Sequence, residues 1–582
     1  MPPPVRPDPQ PSQGGLLVEP GMWLQPGNES ERDGVTPESL DAERRDLADL
    51  ARDFVARRVL PEMPALESPD FALHRRLLSE AGDLGLLGLL VPHSHDGGAQ
   101  GLLATALVMQ HLAVGGGIGV SAVAHSGIGT LPLVLFGGQA QRDRYLPRLA
   151  SGRWIGAFAM TEPGAGSDAM SVRTTATPCP GGWRLCGDKQ FITNAGIADI
   201  FTVVARVGDG GLATFLVERA ADGLSLGPED IKMGLHGSST RRVRFDGVFV
   251  PQRCLLGRLG RGQVVAFTVM ALGRYIMCGG CLGLANRALA LAAGYARERR
   301  QFGRPIASMG LIREKVAAMA VRIFALESAL YRLGGWLDAA GGDVGAFGPE
   351  CSALKVFASE TSGFCADEAL QVHGGSGYMR ASEVERLYRD VRVQRIFEGT
   401  SEINRLIAAR RVLRVARHSE VFAADLAATS GSATPADPGR VCTAVKRAVL
   451  GLAALVGSHS GGTGDGQEAM ARVADVAIAA FVADAALERA RQTDSAANSD
   501  LAALAVHLAR GIALTSAWEV YGAHLPPERA VAAHGALAAA IPVPLVDVIA
   551  VRARVAARLV GEPAAGADAA VLSLTGQSRD GA

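Results

Sequence analysis

The chain has 582 residues, of which 48% are hydrophobic, so it is long enough for several domains or one multi-lobed enzyme with a large core. The 58 basic and 58 acidic side chains cancel, so charge gives no argument for a nucleic-acid partner and we expect none. The eight cysteines are spread thinly, which excludes a disulfide-rich scaffold and favours a reduced, cytoplasmic setting.

The N-terminal segment, residues 1–34, is rich in proline, glycine and acidic side chains. It has neither the charged start and apolar core of a signal peptide nor the basic amphipathic pattern of a mitochondrial presequence. We therefore expect a disordered arm and a cytoplasmic protein. We also find no apolar run near the roughly 20 residues that span a bilayer, so no membrane span is expected.

Helical spacing of apolar residues begins near Thr36, with Leu40, Leu47 and Phe54 on one face, and continues to about Leu149. The predicted N-terminal helical domain covers residues 35–156. The texture then changes to short β-branched and aromatic runs separated by Gly and Asp, at residues 183–185, 201–205, 213–217 and 243–245. This pattern predicts a middle β domain over residues 157–260.

Helices resume after Gly262, over residues 264–300, 311–340 and 351–372, and predict a helical domain at residues 261–418. Residues 429–439 are typical of a linker, so we place a linker at 419–440. An extra helical domain at 441–560 and a tail at 561–582 complete the chain.

Within the extra domain, residues 441–452 (VCTAVKRAVLGL) are apolar with a basic pair, as in an amphipathic surface helix. Two alternatives stay open: the helix packs on a neighbouring element, or it lies in a membrane interface and makes a peripheral membrane contact. Because residues 428–582 carry no catalytic motif, we assign them to assembly or attachment.

Residues 278–281 (CGGC) match the CxxC spacing of redox and metal sites. A redox or metal role requires a second cysteine pair or a thioredoxin-like context, and neither is visible. We therefore interpret the segment as small residues packed along a helix, and we predict no metal site.

Three segments carry the chemistry: 160–168 (MTEPGAGSD), 189–196 (KQFITNAG) and 395–402 (RIFEGTSE). In this order and at this spacing they closely resemble the acyl-CoA dehydrogenase family, over about residues 37–415. The long extension, with Gly310 in the stretch MGLIREK, resembles the very-long-chain subgroup. The resemblance implies an α+β fold: an N-terminal helical domain, a middle β-barrel or sandwich, a C-terminal four-helix bundle and an extra helical domain.

The resemblance implies FAD-dependent α,β-dehydrogenation of a fatty acyl-CoA thioester to the trans-2-enoyl-CoA, as in fatty acid β-oxidation. The thioester α-proton is weakly acidic, so the reaction needs a base together with a hydride acceptor. The motif places the catalytic base at Glu398. Some family members carry the base one residue before an Arg on an earlier helix; here that position is Gly273, before Arg274, and glycine cannot act as a base.

The same resemblance implies an FAD site built from two chains. The expected cofactor contacts, carried over residue by residue, are Met160, Thr161, Ser167, Phe191, Thr193, Arg299, Gln301, Phe302, Gln371, Gly375 and Thr400. Many relatives carry Trp at the position of Phe191. Arg299 is expected to reach the pyrophosphate of the FAD held by a neighbouring subunit, because its planar fork suits phosphate. At least a homodimer is therefore implied.

The substrate contacts implied are Ser167, Arg274 and Gly399, with the backbone N–H of Glu398 helping to stabilise the thioester carbonyl. The expected electron acceptor is electron-transferring flavoprotein. Two alternatives remain: an acyl-CoA oxidase on the same scaffold, which returns electrons to O2, and a non-catalytic assembly protein that retains the fold. His373 stands where relatives have an apolar residue, and we interpret it as a packed histidine; His236 is assigned no role.

Overall fold

A helical N-terminal part, a sheet domain and two groups of long helices follow one another along the chain. This is a computed structural model, and it describes residues 21–24, 34–68, 71–208, 211–417, 437–459, 466–541 and 546–561. The N-terminal helices are α1 (Ala42–Phe54), α2 (Met63–Leu66), α3 (Ala72–Asp83), α4 (Gly101–Leu112), α5 (Gly117–Ala124), α6 (Leu131–Phe136) and α7 (Gln139–Ala150). Asp41 caps α1 by accepting a hydrogen bond from the Arg44 amide, 2.8 Å away.

The middle domain is an eight-stranded sheet in the order β6-β7-β3-β2-β4-β5-β8, with β1 paired in parallel to β4. Its strands are β1 (Gly156–Ala159), β2 (Thr175–Cys179), β3 (Gly182–Thr193), β4 (Ile200–Val207), β5 (Gly211–Glu218), β6 (Leu224–Glu229), β7 (Thr240–Pro251) and β8 (Leu255–Leu256). Along β4, Phe201 and Val203 pack inside the sheet domain, whereas Ile200 and Val204 pack in clusters that include helical residues. Strand β4 therefore joins the sheet domain to the helices.

The second helical group carries the turn that contains Glu398. It contains α8 (Gly262–Glu298), a hairpin of β9 (Arg300–Gln301) and β10 (Arg304–Pro305), α9 (Gly310–Ala339), α10 (Gly348–His373), α11 (Glu383–Val391) and α12 (Ser401–Arg417). Helix α8 crosses α4 closely: a Cβ at Gly279 would lie 2.2 Å from the Ala106 carbonyl, and one at Gly283 would lie 1.7 Å from that of Gln110. Glycine is therefore required at this crossing.

This packing confirms the interpretation of CGGC as small residues on a helix. Cys278 and Cys281 are free and buried, and burial raises the pKa of both thiols. No cluster of His, Cys, Asp and Glu in the described part of the chain could hold a metal ion.

The extra domain consists of α13 (Pro438–His459), α14 (Gln467–Thr493), α15 (Ala496–His524), α16 (Pro527–Ala540) and α17 (Val548–Val560). A buried ionic cluster fastens it to the core: Arg489 on α14 donates to Glu327 on α9 at 2.7 Å and to Glu38 at 2.8 Å. The arginine is fully buried. The α+β fold class, with its extra C-terminal helices, is as predicted.

Burial decides between the two alternatives for residues 441–452 and corrects one expectation for the N-terminal segment. The apolar face of residues 441–452 is not open, because Val441, Val445 and Val449 are fully buried and Lys446 is ion-paired with Asp484. Packing on neighbouring helices, rather than a membrane interface, is therefore what the structure shows for this helix. Residues 22–24, inside the segment expected to be disordered, form a 3-10 turn in which Leu24 is fully buried.

Most of the linker (418–436), of the N-terminal arm and of the tail lies outside the described residues. Within the described residues, four helices could cross a membrane by length and composition alone, which corrects the expectation that no apolar run is long enough. The share of each apolar window that is buried within the protein lies between 56% and 78%. Three of the windows fall on α8, α13 and α15, which pack against other helices in the fold just described.

Candidate active site

Glu398 lies in a tight turn between a 3-10 helix (Arg392–Arg395) and α12. Its φ is +56°, followed by +81° at Gly399. A left-handed glutamate is uncommon, and such strain persists where the surroundings over-determine it and is frequent at active sites. The turn therefore needs specific contacts to hold it.

Hydrogen bonds to the Glu398 and Gly399 carbonyls stabilise the turn. Arg274 Nε on α8 donates to the Glu398 carbonyl at 2.8 Å. Asn404 Nδ2 on α12 donates to the Gly399 carbonyl at 2.7 Å, and Lys355 Nζ on α10 donates to the same oxygen at 2.8 Å. Three helices thus fix the backbone that carries the Glu398 side chain.

The Glu398 carboxylate lies against α8 at Gly273. A Cβ built on Gly273 would be 3.7 and 3.8 Å from the two carboxylate oxygens and 2.7 Å from the Ile128 side chain. Glu398, the expected base, and Gly273, at the family's other base position, are therefore neighbours. Burial raises the pKa of Glu398, while the positive charges of Arg274 and Lys355 oppose that rise. A carboxylate whose pKa is raised toward neutrality is suited to general-base work.

The loop 160–168 presents an open glycine-rich surface at the end of β1. Added Cβ atoms at Gly164 and Gly166 would meet nothing within 4 Å, and Ser167 is exposed. Thr161 is half-buried, whereas Met160 is only 5% exposed and packs in a hydrophobic cluster. The expected contact of the Met160 side chain with a ligand is therefore not visible.

Phe191 departs from the usual behaviour of an aromatic residue in a strand. It is 62% exposed, has a φ of +57°, and sits at an irregularity of the β3–β7 register between Lys189 and Ile192. The bulge turns the ring out of the sheet while Thr193, two residues on, is half-buried. An exposed aromatic ring beside an open loop fits a planar cofactor.

A buried ion pair between Lys189 and Glu162 joins strand β3 to the loop 160–168. Lys189 Nζ donates to Glu162 Oε1 at 2.7 Å, to the Met160 carbonyl at 3.0 Å and to the Val204 carbonyl at 2.7 Å. Burial lowers the pKa of Lys189 to about 8. Glu162 and Lys189 both lie inside the sequence motifs. The motifs therefore pointed to these two positions, although the resemblance assigned them no role.

The other expected cofactor residues lie on exposed segments. The α8–α9 hairpin turns at Phe302 and Gly303, with φ values of +52° and +77°, and Phe302 is 92% exposed. Arg299, Gln301, Gln371 and Gly375 are also exposed. Their exposure is what a contact with a second chain requires.

Thr400 and His373 have local partners. Thr400 Oγ1 accepts the Ile403 amide at 3.3 Å at the start of α12. The His373 ring stacks on Tyr295 at 4.3 Å and bonds the Ala369 carbonyl through Nδ1 at 2.8 Å, so it is the packed histidine that was expected. His236 bonds the Lys232 carbonyl and Glu67.

Lys355 and Asn404 were missed by the sequence analysis. Lys355 is a lone charge in the apolar stretch of α10, which is a weak signal because isolated buried lysines serve many structural roles. Asn404 lies in the first turn of α12, where polar side chains are ordinary. Only the folded arrangement brings Arg274, Lys355 and Asn404 beneath one turn.

Comparisons with known proteins cover the whole core. Family models match for the acyl-CoA dehydrogenase N-terminal domain at residues 41–153, the middle domain at 157–248 and the C-terminal domain at 260–413. A probable acyl-CoA dehydrogenase of Bacillus subtilis is 38% identical over 520 residues, 84% of this chain and 86% of the relative. The human mitochondrial very long-chain specific acyl-CoA dehydrogenase is 41% identical over 341 residues, 56% of this chain and 51% of its own.

Among solved structures, an acyl-CoA dehydrogenase from Bacillus anthracis complexed with FAD superposes with a TM-score of 0.88 at 34% identity. The superposition covers 93% of this chain and 99% of that one, so it includes the extra C-terminal helices.

Proposed function

Because the chain belongs to the acyl-CoA dehydrogenase family, we propose that it converts a fatty acyl-CoA thioester to the trans-2-enoyl-CoA and passes the electrons to electron-transferring flavoprotein, as a step of fatty acid β-oxidation. It is an oxidoreductase of the acyl-CoA dehydrogenase class and its cofactor is FAD. The observation that carries the finer proposal is Glu398: a half-buried carboxylate on a strained turn whose backbone is held by three side chains, facing α8 at Gly273.

The residues present fit FAD. Phe191 offers an exposed ring, Gly164 and Gly166 leave room for close approach, and Thr161, Ser167 and Thr193 offer hydroxyl groups on the same segments. When bound, FAD supplies the acceptor for the hydride that leaves Cβ.

The chain's own residues perform the proton chemistry. A Glu398 carboxylate oxygen takes the α-proton of the thioester. The backbone N–H of Glu398 is the proposed donor to the thioester carbonyl oxygen, where negative charge develops as the proton leaves. Ser167, Arg274 and Gly399 are the proposed substrate contacts. Arg274 already donates to the Glu398 carbonyl, so it positions the base as well.

A homodimer is the smallest proposed assembly. Arg299, Gln301 and Phe302 are exposed on the hairpin after α8, and Gln371 and Gly375 are exposed near the end of α10. In the proposed dimer, these groups contact the FAD of a neighbouring subunit, with Thr400 completing the site.

The cytoplasm is the proposed compartment. All eight cysteines are free, which agrees with a reducing environment.

The experiment uses the purified holoenzyme with a panel of acyl-CoA thioesters differing in chain length. Anaerobic mixing is expected to bleach the flavin, and mass spectrometry is expected to find a product two mass units lighter. Reoxidation is then followed with electron-transferring flavoprotein and with O2 in parallel. Fast reoxidation by O2 with no transfer to the flavoprotein would contradict the acceptor assignment, and no bleaching with any thioester would contradict the substrate class.

A further inference from the structure

Lys355 occupies an unusual position for a lysine. It lies on α10 with no exposed surface, and Nζ donates to the Gly399 carbonyl at 2.8 Å. No carboxylate forms an ion pair with it within the described ranges, in contrast to Lys189 and Lys446, which are both paired. A buried ammonium without a carboxylate partner is costly to the folded state, so its place beneath the Glu398 turn points to a role other than stability.

The charged and titratable groups around Lys355 come from three elements. Helix α8 contributes Arg274, Cys278 and Cys281, the turn contributes Glu398, and the start of α12 contributes Glu402. Burial raises the pKa of both thiols far above neutrality, so they stay uncharged at neutral pH.

The charged groups of Arg274 and Lys355 lie around the Glu398 carboxylate. Burial lowers the pKa of Lys355 to about 8, so it is mainly protonated at neutral pH. Burial raises the pKa of Glu398, and Arg274 and Lys355 are the two positive charges that oppose this rise. Each cation also holds one carbonyl of the turn: Arg274 that of Glu398, and Lys355 that of Gly399.

We propose that Lys355 is a positioning residue for the catalytic base: its buried ammonium group holds the Gly399 carbonyl, keeps the Glu398 turn left-handed, and supplies a positive charge that favours the ionised carboxylate. This inference rests on the proposed role of Glu398. Asn404 bonds the same carbonyl but is neutral, so it shares the geometric part of the role and not the electrostatic part.

The test compares Lys355→Gln and Lys355→Met. Glutamine retains an N–H donor, on a side chain one bond shorter, but carries no charge, whereas methionine removes both. The matched control is Lys446→Met, which removes another buried lysine far along the chain, from α13; the carboxylate of its partner Asp484 keeps its bond to Arg332.

The first readout needs no substrate. The carboxyl band of Glu398 in holoenzyme is found by infrared difference against Glu398→Gln and titrated with pH. Both Lys355 variants are expected to move the midpoint to higher pH, and the control is expected to leave it in place. An unchanged midpoint in both Lys355 variants would overturn the proposal.

The second readout is the rate of flavin reduction by an acyl-CoA. Loss of a hydrogen bond from a charged group predicts a fall of about 10-fold to 100-fold in kcat for Lys355→Met, with little change in KM. The wild-type enzyme is expected to lose rate above about pH 8, where Lys355 loses its proton, and the Gln variant is expected to lack that alkaline limb. The pH profile of the wild-type enzyme tests the proposal even if Lys355→Met fails to fold.

The outcomes separate this inference from the proposed function. If no acyl-CoA reduces the wild-type flavin but the Glu398 midpoint shifts in the Lys355 variants, the function fails and the coupling of Lys355 to Glu398 holds. If the wild type is active and the variants keep both its midpoint and its pH profile, the function holds and the role of Lys355 is wrong.

Discussion

Replacing Lys189 by methionine is expected to lower the free energy of unfolding and to reduce FAD retention at the loop 160–168. Lys189 is fully buried, and its ammonium group makes three hydrogen bonds that join β3 to the end of β1 and to β4. Burial alone would raise the pKa of Glu162, but hydrogen bonds from Lys189 and Thr174 hold it below its ordinary value. The variant therefore leaves an ionised carboxylate buried without its cation.

The magnitude follows from that uncompensated charge. Breaking a buried ion pair by removing one partner costs about 3–5 kcal/mol of unfolding free energy. Glu162 keeps bonds from Thr174 and the Arg173 amide, so we expect the lower end of that range. The double variant Glu162→Gln with Lys189→Met removes both charges and is expected to lose less than Lys189→Met alone.

Urea denaturation of the apoprotein measures the loss, and FAD retained after gel filtration measures the effect on the loop 160–168. The control is Lys232→Met, in the same domain, whose Nζ makes one bond to the Ser238 carbonyl and which is expected to cost about 1 kcal/mol. A loss below about 1 kcal/mol for Lys189→Met, or a double variant no better than the single one, would refute the reasoning.

Three further perturbations have expected outcomes. Arg489→Met leaves Glu327 buried without its cation, so thermal or urea unfolding is expected to show a loss of about 3–5 kcal/mol, with faster proteolysis of the C-terminal helices; wild-type behaviour would contradict this. His125 is neutral in the folded protein because its Nδ1 accepts a hydrogen bond from the Gly156 amide and burial lowers its pKa to about 4. The unfolding free energy that this neutral ring contributes is complete above pH 6.5 and falls by about 3 kcal/mol as the pH drops toward 4. His125→Gln is expected to flatten that pH dependence of urea unfolding, and an unchanged slope would count against it. Arg299→Ala is expected to release FAD and weaken the dimer together, and tight FAD retention on gel filtration would argue the opposite.

Local patterns predicted much of the fold because they reflect local physics. Periodicity separated helices from strands, and the predicted strands at 201–205 and 213–217 fall inside β4 and β5. The glycines of CGGC were correctly interpreted as packing residues, since two small residues between cysteines on an apolar helix favour a close crossing.

The rest depends on contacts distant in sequence. Lys355 and Asn404 acquire a role only when α10 and α12 meet beneath the turn of Glu398. The helix at 441–452 has a clear apolar face, but amphipathicity does not specify what covers that face; here it is other helices of the same chain. For the same reason the burial of Leu24 in a proline-rich segment could not be predicted.

The central claim is that Glu398 is the base. Its most direct test is anaerobic flavin bleaching by an acyl-CoA in Glu398→Gln, with Glu468→Gln, an exposed glutamate on α14, as the control. We expect Glu398→Gln still to bind FAD and acyl-CoA but to bleach at least about 10²-fold to 10⁴-fold more slowly, because glutamine is isosteric and cannot accept the proton, while Glu468→Gln bleaches near the wild-type rate. Bleaching of Glu398→Gln at the wild-type rate would contradict it.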